Sequence, residues 1–293
     1  MGENCFIQTH VDTDPSEGAA DFTCGTLSRN DHKGVDFALQ SDAAMRAGVN
    51  VISTAPGKVL RLRDGMEDVA LTSKDQIAAL AGQDCGNAVV IGHGNGWESQ
   101  YCHMQKGSIA VIRGQRVAKG TVLGKVGLSG RTTFPHAHLS LRKDGRVIDP
   151  FNPDGIISCT MPPRRQLWED PISYVPTGLI DIGFASSIPN YPAITDGSVD
   201  RIVLKDSPAL VLWGFAFSSQ IGDEMEMIIS PPNSASFSQK TIIQKAQPRY
   251  FRASGKRRKG EALWPAGPYK GEVILRRDGQ EMDRRVIEMT IQP

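Results

Sequence analysis

Between residues 32 and about 150 the hydrophobic residues come in short stretches cut by glycine, proline and asparagine, and this punctuation rules out a helical architecture. The stretches are "VNVISTAPGKVLRLR", "NAVVIGHG", "ESQYCHM", "QRVAKGTVLGKVG" and "HAHLSLRKDGRVIDPF". Runs of this length bounded by turn formers read as short β-strands, and strands must pair, so the region predicts a twisted or sandwich-like sheet. One segment departs from the pattern. "SKDQIAALAG", residues 73–82, has a serine cap and a closing glycine and predicts a short helix in an inserted loop.

The rest of the chain divides around this region. Residues 1–30 are acidic and turn-rich and read as an N-terminal extension; residues 152–178 are rich in proline, carry no clear period and read as a linker. From 179 to 293, "DRIVLKDS", "ALVLWGFAF", "EMEMIISPP" and "GEVILRRDGQEMDRRVIEMTIQ" again have strand length and alternation, with Trp213 in the middle of one. That spacing fits a smaller, immunoglobulin-like β-sandwich of unknown role, without the cysteine pair of antibody domains. The chain as a whole is expected to be mainly β, with no internal repeat relating its halves.

Composition narrows the function classes. At 293 residues there is room for two cores, and 40% hydrophobic with 22% charged residues is the balance of a soluble globular protein. No apolar run approaches the roughly 20 residues of a membrane helix. A net charge of +1 gives no support to a nucleic-acid partner. The opening "MGENCFIQTH" lacks the charged start and apolar stretch of a signal peptide, so the protein is either cytosolic or has lost a leader. The cysteines favour an exported protein, periplasmic or extracellular. Cys85 and Cys102 flank two strand-like runs that meet at "HGNG", so a hairpin would bring their sulfurs together. Cys5 and Cys24 could form a second bridge across the acidic loop, which would leave Cys159 unpaired; the sequence leaves the pairing of these three open.

The chemistry gathers at histidines. Of six, four sit in short motifs of the first domain: His32, His103, His136 and His138. In "HAHLSL" strand alternation sends His136 and His138 to one face, with Cβ atoms about 7 Å apart, so both can reach one metal site. In "DHKGVDFAL" a straight strand would hold His32 and Asp36 roughly 13 Å apart, and Gly34 permits the bend that joins them. Two imidazoles and a carboxylate with a fourth position open to water are the donors of a catalytic zinc site, and no thiolate is required. His10 and His93 are expected to be structural, with His93 satisfying a loop backbone. "KRRK", residues 256–259, is expected at a solvated loop tip, with contact to anionic envelope polymers as the other reading. Tyr101 is expected to pack, facing away from the metal.

"APGKV", "HKGVD", "YCHM" and "GLSGRTTFPHAHL", in that order, resemble the lysostaphin-type or LytM-type zinc metallopeptidases that cleave peptidoglycan cross-links. The resemblance covers residues 31–151 and implies a compact antiparallel β fold with its site in a groove. It implies one zinc per chain held by His32, Asp36 and His138, with His103 and His136 assisting catalysis, and no other cofactor. Zinc lowers the pKa of its bound water from 15.7 to about 7 and polarises the scissile carbonyl. Without an H-E-x-x-H glutamate, a histidine is the expected base, and which of the two serves is left open. The implied substrate is the peptide stems of peptidoglycan. The alternative is a non-enzymatic envelope protein of the same fold that binds peptidoglycan or regulates other hydrolases. Two features depart from the family pattern: the longer insertion at 63–84, and Phe134 where glycine is commoner before the proline.

Overall fold

The structure is a computed structural model and describes residues 5–160, 163 and 165–293. The chain separates into two units, Met1–Tyr174 and Val175–Pro293. The first contains β1 (Cys5–Thr9), β2 (Val35–Leu39), α1 (Asp42–Ala47), β3 (Asn50–Ile52), β4 (Gly57–Arg63), α2 (Lys74–Ala79), β5 (Asn87–Gly94), β6 (Trp97–Met104), β7 (Arg116–Val117), β8 (Val122–Lys125), β9 (His136–Lys143) and β10 (Arg146–Ile148). The large sheet runs β1-β2-β9-β6-β5-β4-β7 with β10 paired to β9, and β3 pairs with β8 separately. Every pairing is antiparallel.

Alternation decides what each face of the large sheet carries. Val59, Val89, Ile91, Tyr101 and Leu139 project into a core shared with Val51 of β3 and Leu123 of β8. The residues between them face the other way, which leaves that side for the histidines. The β5–β6 hairpin turns through Asn95 and Gly96 at φ 47° and 78°, the left-handed pair that a two-residue hairpin favours. Cys85 and Cys102 are bonded beside it, as the hairpin predicts. The helix at α2 is also present, capped by Ser73 with Gln76 reaching back to the cap.

Three features differ from the sequence reading. The second bridge joins Cys24 to Cys159, and Cys5 is the free cysteine. Cys5 is carried away from Cys24 because β1 joins the sheet edge, where Cys5 lies opposite Leu39. A strand of five residues is too short for its period to stand out from the turn-rich sequence after it. Residues beyond 151 also pack on this unit: Trp168, Ile172 and Tyr174 lie against a cluster of Val11, Phe22, Val35 and Phe151. Of the stretch read as linker, residues 161, 162 and 164 lie outside the described residues.

The second unit holds β11 (Gly178–Ala185), α3 (Tyr191–Asp196), β12 (Ala209–Ser219), β13 (Glu224–Ser230), β14 (Phe237–Ile242), β15 (Gln247–Arg257), β16 (Gly267–Arg277) and β17 (Gln280–Ile291). Its sheets, β11-β12-β15 and β14-β13-β16-β17, share one core that includes Phe184, Leu212, Met225, Tyr250, Tyr269 and Val273. Trp213 faces away from that core, over Gly183 and beneath the Arg201 guanidinium, 5.0 Å from its ring centre. The basic run is not wholly a loop tip. Lys256 and Arg257 are the last residues of β15, and Lys256 lies 4.0 Å over the Phe237 ring, which the polar look of "KRRK" concealed. No helix among the described residues is long and apolar enough to cross a membrane.

Candidate metal centre

The register of two adjacent strands builds the centre. Asp36 of β2 stands directly opposite His138 of β9, and Ala38 opposite His136, so carboxylate and imidazole meet across the ladder. His138 Nδ1 lies 2.7 Å from Asp36 Oδ1. The chain bends at Gly34 as it enters β2 and returns His32 to the same spot, with Nε2 3.1 Å from Asp36 Oδ1 and 3.2 Å from His138 Nδ1. Glycine is needed here for clearance as well as for the bend. A Cβ at position 34 would lie 2.5 Å from the Leu139 carbonyl oxygen and 2.6 Å from His138 Nε2.

His103 and His136 complete the cluster. Their ring centres are 4.6 Å apart, and His103 is 6.0 Å from His138. His136 Nε2 lies 3.5 Å from Asp36 Oδ1. Two residues after Tyr101 on a regular strand, His103 would share the core face with that tyrosine. It adopts φ 60° instead, and the left-handed residue turns its ring to the histidine side. Tyr101 stays in the core, its hydroxyl accepting from the Thr54 amide at 2.8 Å.

The protons on these rings follow from their partners. A carbonyl oxygen only accepts, so the ring nitrogen facing one carries the hydrogen. His32 Nδ1 donates to the His10 carbonyl (2.7 Å), His103 Nδ1 to that of Ser129 (2.8 Å) and His136 Nδ1 to that of Phe134 (2.8 Å). The Ser140 hydroxyl donates to the Lys33 carbonyl at 2.5 Å, so its oxygen accepts from His138 Nε2 at 3.0 Å. The nitrogens turned inward are therefore Nε2 of His32, His103 and His136, and Nδ1 of His138, each bare when its ring is neutral.

Electrostatics disfavours a charge on two of the rings. Burial lowers the pKa of His103 well below the ordinary imidazole value, helped by the neighbouring His136 and His138. Burial also lowers His138, against the opposing pull of Asp36. For Asp36 burial acts upward, but the close His136 and His32 rings, with His138 beside them, outweigh it and hold the carboxyl well below its usual range. The site is thus a buried carboxylate with imidazole nitrogens around Oδ1 and the Arg29 guanidinium 3.4 Å from Oδ2.

Lone pairs facing one another at these distances repel unless a cation lies among them. One donor atom from each of His32, Asp36 and His138 falls within a 4.8 Å cluster. Donors in tetrahedral array about 2.0–2.1 Å from zinc would be about 3.3 Å apart, close to two of the three separations seen here. His136 Nε2 is buried without a hydrogen-bond partner, which also fits a site made for a further group. The two-imidazole, one-carboxylate set suits zinc and leaves room for a fourth donor.

Comparison with known proteins bears on this cluster. Residues 30–150 match the model of Peptidase family M23. That span is similar to the M23 peptidases. The peptidoglycan DD-endopeptidase ShyA of Vibrio cholerae is 30% identical over 134 residues, 46% of this chain and 25% of that protein. The DD-carboxypeptidase/endopeptidase Mpg of Neisseria meningitidis is 31% identical over 123 residues, 41% of this chain and 22% of its own length. The chain spans about a quarter of the length of these curated relatives. A solved zinc-containing peptidase from Vibrio cholerae aligns at 27% identity over 50% of this chain and 39% of that one, with a TM-score of 0.31.

The fold brings His32, Asp36, His103, His136 and His138 into one cluster, whereas His10 and His93 lie outside it. His93 lies between the Pro56 carbonyl and the Ser99 hydroxyl, 2.8 Å from each. Sequence reasoning missed the groups that orient the rings. Ser140 has a legible signal, being two residues beyond His138 on the same strand face. The carbonyls of His10, Ser129 and Phe134 have none, since every residue has a carbonyl. The insertion was seen only as a departure, yet it braces the His103 side: Asp68 accepts from the Leu128 and Lys106 amides, and Leu71 donates to the Thr132 carbonyl.

Proposed function

We propose that the protein is an exported zinc endopeptidase that hydrolyses peptide cross-links of bacterial peptidoglycan. The observation that carries this reading is the convergence of four tautomer-fixed imidazoles on one buried carboxylate. His32 Nε2, His138 Nδ1 and Asp36 would hold the metal, and the names of the M23 relatives supply the substrate class. Two disulfides suit an oxidising, extracytoplasmic compartment.

Bound there, zinc supplies Lewis acidity to the peptide carbonyl and makes water acidic near neutral pH. The remaining work falls to this chain. His103 and His136 present bare Nε2 atoms beside the ligands while their Nδ1 hydrogens stay tied to carbonyls. One Nε2 takes the proton of the attacking water and, as the imidazolium so formed, gives that proton to the leaving amine, while the other steadies the developing oxyanion once it has itself taken a proton from solvent. Because both rings are anchored, little reorganisation is needed during the reaction.

The test combines metal content with digestion of purified sacculi. About one zinc per chain and release of soluble muropeptides with newly freed amino groups are expected. Intact sacculi after incubation with the zinc-loaded protein would refute the hydrolytic reading. His138→Ala should lose both metal and activity.

A further inference from the structure

The span matched by the M23 model begins at residue 30, two residues before His32. What fixes His32 lies on both sides of that boundary. Its Nδ1 hydrogen goes to the His10 carbonyl at 2.7 Å, and its own carbonyl accepts from the Asp12 amide at 2.8 Å. Asp12 Oδ2 accepts from the Asp31 amide at 2.8 Å, and Asp31 sits at φ 60°, a conformation costly for a residue other than glycine. Asp12 thereby holds the backbone turn that delivers His32.

The segment that carries these groups is itself pinned. The His10 ring is buried against Phe22, Phe151 and Tyr174, with centres 5.1, 4.7 and 5.6 Å away. Buried Asp21 gathers the amides of Thr23, Gly25 and Leu27 and the Tyr174 hydroxyl. Cys24, in the same turn, is bonded to Cys159, 135 residues on and also beyond the matched span. Both cysteines are exposed, so solvent reaches the link.

We propose that residues 10–31 are a positioning shell for the metal ligand His32, with Asp12 as its keystone and the Cys24–Cys159 bridge as its covalent latch. The inference rests on the metal site of the proposed function and goes beyond it in assigning work to residues outside the peptidase motifs. The role assigned to these residues is positioning. They act by fixing which nitrogen His32 offers and where that nitrogen lies, and removing outer partners of a metal ligand commonly costs 10–100-fold in metal affinity.

The test is a zinc competition titration against a chromophoric chelator, with cobalt(II) visible spectra as a second report on geometry. Asp12→Ala and the double variant Cys24→Ser/Cys159→Ser should each bind zinc about 10–100-fold more weakly, with altered cobalt bands. Asp12→Asn, which keeps an acceptor oxygen, should remain within a few-fold of the parent. Tyr101→Phe removes a hydrogen bond on the opposite face of the sheet and serves as the stability control: it should lower the melting temperature and leave zinc affinity unchanged. Zinc affinities of Asp12→Ala and the double-serine variant within twofold of the parent, or reduced no more than in Tyr101→Phe, would overturn the proposal. A parent chain that takes up no zinc would overturn this proposal and the proposed function together. An Asp12-dependent affinity in a protein that leaves sacculi intact would uphold the shell and sink only the hydrolytic reading.

Discussion

Ser140→Ala tests the tautomer argument at its most exposed point. The substitution deletes one oxygen from a position 2% exposed and breaks a two-step relay, His138 Nε2–H to Ser140 Oγ at 3.0 Å and Ser140 O–H to the Lys33 carbonyl at 2.5 Å. Two hydrogen bonds at about 1 kcal/mol each predict a loss of about 2 kcal/mol in the metal-free protein. For a unit of this size that is about 4–8 °C in melting temperature, readable by calorimetry. Metal affinity should fall separately. With no acceptor for Nε2–H, the ring is no longer held in the tautomer that offers Nδ1, and an unsatisfied buried donor costs about 1–3 kcal/mol. That range corresponds to about 5–150-fold in zinc affinity, measured by the same competition titration. A variant that melts earlier yet binds zinc as tightly as the parent would show that Ser140 supports the strand alone, and the assignment of Nδ1 as the ligand atom would fall with it.

Further expectations follow from the same geometry. Gly34→Ala forces a Cβ to within 2.6 Å of His138 Nε2 and against the Leu139 backbone, so the purified protein should carry little zinc even where circular dichroism still reports a folded chain. His103→Ala should keep its zinc and lose at least about 100-fold in turnover on a cross-linked muropeptide; full activity would remove His103 from the proton-transfer role. Asp149 lies off the cluster and offers a pH test. Burial pushes its carboxyl up to about 6, with Asp21 adding to the effect and the Phe151 and Asn152 amides opposing it. An acid raised in the folded state is penalised when ionised, so its contribution is most favourable below the ordinary 3.8 and is lost as pH rises to about 6. The stability difference between Asp149→Asn and the parent should therefore shift by about 2 kcal/mol in favour of the variant between pH 4 and 7, as read from denaturant midpoints. A difference that stays flat across that range would refute the assignment.

The β character of the chain and the identity of the cluster were legible because each rests on a local pattern. Alternation in "HAHLSL" places His136 and His138 on one face, and β9 does so. The hairpin at "HGNG" and the Cys85–Cys102 bridge are likewise short-range consequences of turn chemistry. What sequence could not supply was pairing at a distance. That β1 adds to the edge beside β2 depends on the packing of Val11, Phe22 and Phe151, and so does the exchange of Cys5 for Cys159 as the partner of Cys24. His103 is the instructive case. Its motif named it, but a regular strand would have pointed it into the core, and only a single left-handed residue delivers it to the site.

The groups that orient the four imidazoles come from four separate places: His10 before the motifs, Ser129 and Phe134 on the approach to β9, and Ser140 within β9 acting through Lys33. Three of these anchors end on main-chain carbonyls, and the fourth is a hydroxyl that passes the bond to one. Such a device constrains backbone path rather than side-chain identity, so it is invisible to motif comparison while being as necessary to tautomer choice as the ligands are to binding. A boundary drawn at the motifs, residues 30–150, keeps every donor atom and discards the carbonyl that sets His32. It also discards Tyr174, whose hydroxyl steadies Asp21 at 2.7 Å, and Cys159, which holds the turn at Cys24. On the positioning-shell proposal, the extension and the segment through Tyr174 work with the strands between them, because the His10 carbonyl, Tyr174 and Cys159 all act on the turn that delivers His32.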